Sequence, residues 1–248
     1  MPENGGGAMT RIVPERYRVL SGSALKLLAV AAMLIDHTAF VLLGGSPRLL
    51  FQIGSWQVRL YTAMRFVGRI AFPIYAFLLV EGFLHTRSRK IYALRLFLFA
   101  LISEIPWNLA HTGALSYEKQ NVFFTLLLGF LGVWTLDRIT RDGVKAYRLL
   151  ALAALIAAAA LARADYGISG FGFIVLMYAL RDRPLYRAAA GACVLSSSWK
   201  AGLAFLPISL YNGRRGFIRG RIAALLFYAV YPIQFYVLYL IRDALIGY

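Results

Sequence analysis

One cysteine, three histidines and eleven acidic residues are all that the chain holds of the groups that usually build soluble active sites. The lone Cys193 excludes an internal disulfide framework and a cysteine-rich metal site, and it reads as a small core residue. His37, His85 and His111 fall on different apolar segments without a ligand cluster, so no metal is expected. Charge is scarce too: 15% of the 248 residues are charged against 60% hydrophobic, which is too apolar for a soluble domain and suits a polytopic membrane protein. The net charge of +16 does not point to nucleic acid. The basic residues stand in short clusters between apolar runs, which is how cytoplasmic loops are marked, and no nucleic-acid partner is expected.

Residues 1–21 carry Gly, Pro and Arg without an apolar period and read as a disordered cytoplasmic tail. Residues 22–248 read as one transmembrane domain. Its spans are Leu25–Phe40, Val67–Leu84, Ile91–Leu109, Asn121–Leu136, Leu149–Ala162, Tyr166–Leu180, two short helices within Ala188–Tyr211, and Ile222–Ile241. The hairpin in 188–211 follows from charge. With it, the basic clusters at 11–18, 87–90, 138–148, 181–187 and 214–221 all fall on one side, while a single helix strands the last of them opposite. The expected fold is therefore all-α: a polytopic integral membrane helix bundle of about nine segments in the cytoplasmic membrane, N-terminus cytoplasmic and C-terminus outside.

Polar residues inside apolar helices need a reason, because ionised groups in the bilayer face a protein interior or a wet cavity. In this topology Asp36 and His37 lie towards the outer end of the first helix, Arg69 starts the second, Glu104 and Asn108 end the third, Asn121 and Thr125 begin the fourth, and Asp165-Tyr166 sits at the next outer turn. Glu104/Asn108 and Asn121/Thr125 are spaced i,i+4, so each pair shares a helix face. An outer polar chamber is expected. Neighbouring helix residues point about 100° apart, so Asp36 is poorly placed to orient His37. Glu104 or Asp165 is the expected orienting carboxylate, with Asp36 pairing to Arg69 or an adjacent segment. Lys26 lies eleven residues before His37 on nearly the same face, roughly 16 Å lower.

At these residues the chain resembles the TraX family of membrane proteins, named for the acetylase of F-type conjugative pilin. The resembling segments are Leu25-Lys26-Leu27-Leu28 with Met33-Leu34-Ile35-Asp36-His37, Gly68-Arg69-Ile70-Ala71-Phe72-Pro73 with Glu81-Gly82-Phe83 and His85-Thr86-Arg87, Ser103-Glu104-Ile105-Pro106-Trp107-Asn108, Asn121-Val122-Phe123-Phe124-Thr125, Asp165-Tyr166-Gly167, and Tyr211-Asn212-Gly213. Tyr231-Pro232-Ile233-Gln234 departs from the family's Tyr-Pro-x-His pattern by its glutamine. The wider resemblance is to multispan acyltransferases that deliver an acyl group from cytoplasmic acyl-CoA to an acceptor at the outer face, with a histidine on an early helix. His37 inherits that role.

The resemblance implies an acyl-CoA-dependent membrane N- or O-acyltransferase, in the simplest case an acetyltransferase using acetyl-CoA. Its acceptor is an amine or hydroxyl on a protein N-terminus, a sugar or a small molecule, reached within membrane lipid. A histidine titrating near neutrality suits proton removal from an attacking amine. Asp36, Glu104 and Asp165 complete the expected catalytic set. Arg69, Asn108, Asn121, Thr125 and Tyr166 are expected to bind substrate or the developing oxyanion, and Lys26, Arg87 and Arg89 the phosphates of CoA. Two other classes share these charges. A transporter or flippase would show inverted repeats, and the Asp-His stretch has no counterpart in the second half. A non-catalytic membrane assembly factor leaves the polar cluster unexplained.

Overall fold

The computed structural model describes residues 13–44, 49–53, 56–116, 118–194, 196–218 and 220–246. Ser21 opens α1 (Gly22–Thr38) by accepting the Ala24 N–H at 3.3 Å, and the helix runs on as a π-helical turn, Ala39–Leu43, to Gly44 in the left-handed region. A short antiparallel hairpin follows, β1 (Leu49–Ile53) against β2 (Trp56–Arg59), where an unstructured loop in an all-α chain is expected. Phe51-Gln52-Ile53 and Trp56-Gln57-Val58-Arg59 alternate apolar and polar residues with a period of two across Gly54-Ser55, so strand pairing wins there over a helix.

The second long apolar helix begins at Leu60, not near Val67, and therefore takes Arg65 into the bundle. It is divided at Arg69-Ile70 into α2 (Leu60–Gly68) and α3 (Ala71–His85). Ser88 caps α4 (Arg89–Thr112), which ends on Gly113 at φ 75°. Its last carbonyls are met by Arg242, whose guanidinium donates to Leu109 O at 2.8 Å and Ala110 O at 2.7 Å. Asn121 caps α5 (Val122–Asp142). The remaining elements are α6 (Ala146–Leu161), α7 (Gly167–Ala179), α8 (Pro184–Val194), a 3-10 stretch (Ser196–Ala204), α9 (Phe205–Ser209) and α10 (Arg221–Ile246).

Among the described residues, five helical stretches are long and apolar enough to cross a membrane: Gly22–Leu43, Leu60–His85, Arg89–Thr112, Val122–Asp142 and Ile222–Leu245. Ala146–Leu161 and Gly167–Ala179 are apolar but shorter. The outward face of α4 shows why water is the wrong solvent. Leu94, Phe97, Leu98, Leu101, Ile102 and Ile105 are all exposed along it, a contiguous apolar strip that soluble monomers rarely present.

The segment 188–211 does fold back on itself. The Arg187 guanidinium lies 5.2 Å from the Phe77 ring, Lys200 Nζ lies 5.5 Å from Phe66 near the other end of the bundle, and Tyr211 returns to Phe77 at 5.3 Å. Residues 13–21, expected within the tail, are instead held. Arg18 Nε donates to Tyr211 O at 2.7 Å, Leu20 N donates to Leu210 O at 2.9 Å, and Ser23 Oγ donates to Arg215 O at 3.0 Å. The rest of the expected tail, 1–12, lies outside the described residues.

The bundle thus has two unlike ends. One carries Arg18, Arg89, Arg141, Arg181, Arg187 and Arg215, and there Asp137 takes Arg89 at 2.7 Å, Arg141 and the Tyr178 hydroxyl at 2.7 Å. The other carries Asp36, His37, Arg65, Glu104, Asn121 and Asp165. The core between them is aromatic, with Phe83, Phe130, Phe173 and Phe235 fully buried.

Candidate functional site

A cavity of about 210 Å³ runs inside the bundle along α1. Asp36, His37, Asp165, Tyr166 and Tyr231 line it towards the polar end, Lys26 and Phe227 towards the basic end, and Met33, Tyr75, Leu79, Leu96 and Leu126 its middle. The shared helix face of Lys26 and His37 is therefore a shared cavity wall, and the middle is apolar because α3, α4, α5 and α10 turn their own core residues to it.

His37 takes its partner from α10. Its Nδ1 lies 2.6 Å from the side-chain nitrogen of Gln234, and its ring packs on Phe235 at 4.3 Å and edge-on to Tyr231 at 5.7 Å. The orienting group is thus an amide, not the carboxylate expected of Glu104 or Asp165. An amide can serve both states of the imidazole. Its N–H donates to a bare Nδ1, and its oxygen, after half a turn, accepts from a protonated Nδ1 and leaves the Nε2 lone pair available. Gln234 Oε1 is buried without a hydrogen-bond partner among the described residues, so the oxygen breaks no bond in making that turn.

Asp36 pairs with Arg65, one turn before Arg69, and its Oδ1 is likewise buried without a partner among the described residues. The pairing needs Gly68: a Cβ there would stand 2.2 Å from Asp36 Cβ, so only glycine lets α2 lie this close to α1. Arg69 is near enough to act electrostatically on both Asp36 and Asp165. Asp165 sits in the turn before α7, outside the helices; burial pushes its carboxyl up to about 6 while Arg69 pulls against that. Tyr166 stacks on Phe72 with ring centroids 3.7 Å apart.

Several expected ligand-binding groups are occupied elsewhere. Asn121 Nδ2 donates to Glu104 Oε2 at 2.6 Å and to Ala100 O at 2.8 Å, and Asn108 Nδ2 donates to Glu104 Oε1 at 3.1 Å. These three side chains lock α4 to α5 and spend their hydrogen-bonding capacity on each other. Thr125 is buried beside Gly170 and Phe72, with its hydroxyl unpartnered among the described residues. Arg89 is held by Asp137, and Arg87 is exposed at the basic end. Among the described residues no group of three or more His, Cys, Asp or Glu is placed to hold a metal.

A half-buried imidazole and two carboxyl groups at one end of an internal cavity, with a lysine at the other, set a polar chamber inside the apolar helices of a multi-pass membrane protein. Residues 21–242 match the family described as TraX protein, and the chain belongs to that family. The probable fimbrial assembly protein FimC, serogroup H1, of Dichelobacter nodosus is 31% identical over 241 residues, a stretch covering 85% of this chain and 92% of that protein. No solved structure matches the chain.

Gln234, Arg65 and Tyr231 are the site residues that sequence reasoning missed. The signal for Gln234 was present: it is the one amide in the apolar run Ile222–Ile241, three residues after Tyr231.

Proposed function

We propose that the protein is an integral-membrane acyltransferase, in the simplest case an acetyltransferase, that uses acyl-CoA from the basic side and modifies an amine or hydroxyl at the chamber end. The observation that carries this reading is the single cavity that joins Lys26 to His37. Its length, roughly 16 Å from the helical rise, suits an extended thiol arm, and its apolar middle suits a chain without charge.

In this reading Lys26 holds phosphate at the inner mouth together with Arg215, whose carbonyl is bonded to Ser23 one turn below. The co-substrate supplies an activated thioester carbonyl. His37, oriented by Gln234, takes the proton from the attacking nitrogen or oxygen as its bond to the acyl carbon forms. The carbon–sulfur bond breaks, and the same proton passes to the departing thiolate. Tyr166 and Tyr231 line the chamber and are the donors this reading gives to developing charge on the acyl oxygen, in place of the spent Asn108 and Asn121, while Arg69 acts only through its charge on Asp36 and Asp165. Asp36 Oδ1, on a residue that lines the chamber and without a hydrogen-bond partner among the described residues, favours an acceptor that brings an N–H group.

The topology that serves this chemistry has about nine membrane segments in the cytoplasmic membrane, with the N-terminus and basic end cytoplasmic and the C-terminus outside. The Dichelobacter relative is named for fimbrial assembly, so the N-terminus of a fimbrial subunit is the first acceptor to test. Calorimetric titration of the protein in nanodiscs with CoA should show binding that weakens in Lys26→Ala, with the difference shrinking at high salt. Folded wild-type protein that binds no CoA would overturn the reading.

A further inference from the structure

A second cavity, of about 270 Å³, opens at the basic end between residues 13–18, α3, α8 and the returning strap 205–213. It lies on another face of α3 from the chamber: Leu78 and Gly82 line the chamber, while Phe77 and Glu81, their chain neighbours, line this one. Three arginines wall it, Arg18, Arg181 and Arg187, with Glu81 the one acid among its lining residues.

Each arginine is held so that charge remains for something else. Arg18 spends its Nε on Tyr211 O at 2.7 Å, and Arg181 donates to Tyr178 O at 3.1 Å with Asp182 3.6 Å from its Nε. Arg187 lies over the Phe77 ring, and its Nε is buried with no hydrogen-bond partner among the described residues. Glu81 is engaged by the Tyr211 hydroxyl. Arginines that only mark the cytoplasmic side need no cavity, and Arg87 and Arg183 at the same end are plainly exposed. A buried guanidinium N–H left unpaired is the unusual feature, because such groups are nearly always satisfied.

We infer that this cavity is a binding site for a phosphate-bearing anion, either a soluble phosphate ester or the headgroup of an anionic phospholipid. Guanidinium forks match phosphate oxygens in pairs. Phe77, Phe205 and Ile208 supply an apolar wall for the uncharged remainder of the ligand. The inference does not depend on acyl transfer.

The test uses the full chain in nanodiscs. In neutral phosphatidylcholine discs, inorganic pyrophosphate is titrated calorimetrically; in discs doped with phosphatidic acid, retained lipid is counted by native mass spectrometry. Wild type should hold at least one of the two probes, and Arg187→Gln should weaken that binding by about tenfold or more. Pyrophosphate alone identifies a soluble ligand, and phosphatidic acid alone a lipid headgroup. Arg181→Gln is the second variant and decides the matter if Arg187→Gln fails to fold. Wild type binding neither probe, or both variants binding as wild type does, would overturn the inference.

Discussion

His37 on α1 and Gln234 on α10 meet at 2.6 Å across 197 residues of chain, and the amide is the hydrogen-bond partner of the imidazole's Nδ1. Gln234→Leu removes the group that selects the tautomer while keeping an apolar side chain of similar length. In the proposed reaction acyl transfer should fall by about 10–100-fold, part of the ~10²–10⁴-fold that a positioned general base contributes. Nitrogen-15 shifts of labelled histidine should show His37 as a tautomer mixture. Gln234→Glu, which can only accept, should hold the proton on Nδ1, the opposite of the tautomer that the Gln234 N–H selects. An unchanged tautomer in Gln234→Leu would mean the amide does not set it.

Gly68 and Gly172 make opposite predictions for the same substitution. A Cβ at Gly68 meets Asp36 Cβ at 2.2 Å, whereas one at Gly172 in α7 meets nothing within 4 Å. Gly68→Ala should destabilise by about 1–3 kcal/mol or more through overpacking. Gly172→Ala should be neutral or stabilising by up to about 1 kcal/mol from helix propensity. Thermal midpoints in detergent measure both.

Asp165 has a folded-state pKa raised from 3.8 to about 6, so its ionised form is the one that folding disfavours. The penalty is present above that value, is relieved as pH falls through it, and is gone below the unfolded value. Asp165→Asn should therefore raise the thermal midpoint at neutral pH and change it little near the unfolded carboxyl value of about 4. A midpoint gain that is the same at both pH values would show that ionisation of Asp165 is not its source.

The proposed sidedness can be read by chemistry on intact cells. With Cys193 replaced by alanine, single cysteines at Lys119 and Lys200 should react with an impermeant thiol reagent, and those at Arg141 and Arg215 should be protected. Lys200 lies by Phe66 and Arg215 by Ser23, towards opposite ends of the bundle, which is the arrangement this sidedness needs. Labelling of 215 with protection of 200 would invert the orientation.

The membrane class and the polar chamber were legible in the sequence because a bilayer leaves few reasons for an ionisable residue. Asp36, His37, Asp165 and Tyr166 do share a cavity, and Lys26 does stand at its other end. Pairings between helices were not legible. The i,i+4 spacing puts Asn108 beside Glu104 on α4, but no spacing rule says that Glu104 also takes Asn121, or that Asp137 holds Arg89 away from a ligand, since those bonds depend on how α4 and α5 are set against each other. Arg65 lies inside the bundle because the helix begins at Leu60, seven residues before Val67, where the apolar run is read to start. The fold-back of 188–211 was legible from charge, while the hairpin of β1 and β2 was overlooked although Phe51-Gln52-Ile53 and Trp56-Gln57-Val58-Arg59 alternate apolar and polar residues on either side of Gly54-Ser55.

The central claim rests on His37 acting as the base, and the most direct measurement is transfer of labelled acyl groups from acyl-CoA to an acceptor turned over by wild type, compared with His37→Ala. The variant should fold and bind CoA but lose transfer by ~10²–10⁴-fold, while His85→Ala, whose ring is exposed at the basic end and bonded to Glu81 O, should lose much less. Retention of most wild-type transfer by His37→Ala would contradict the account.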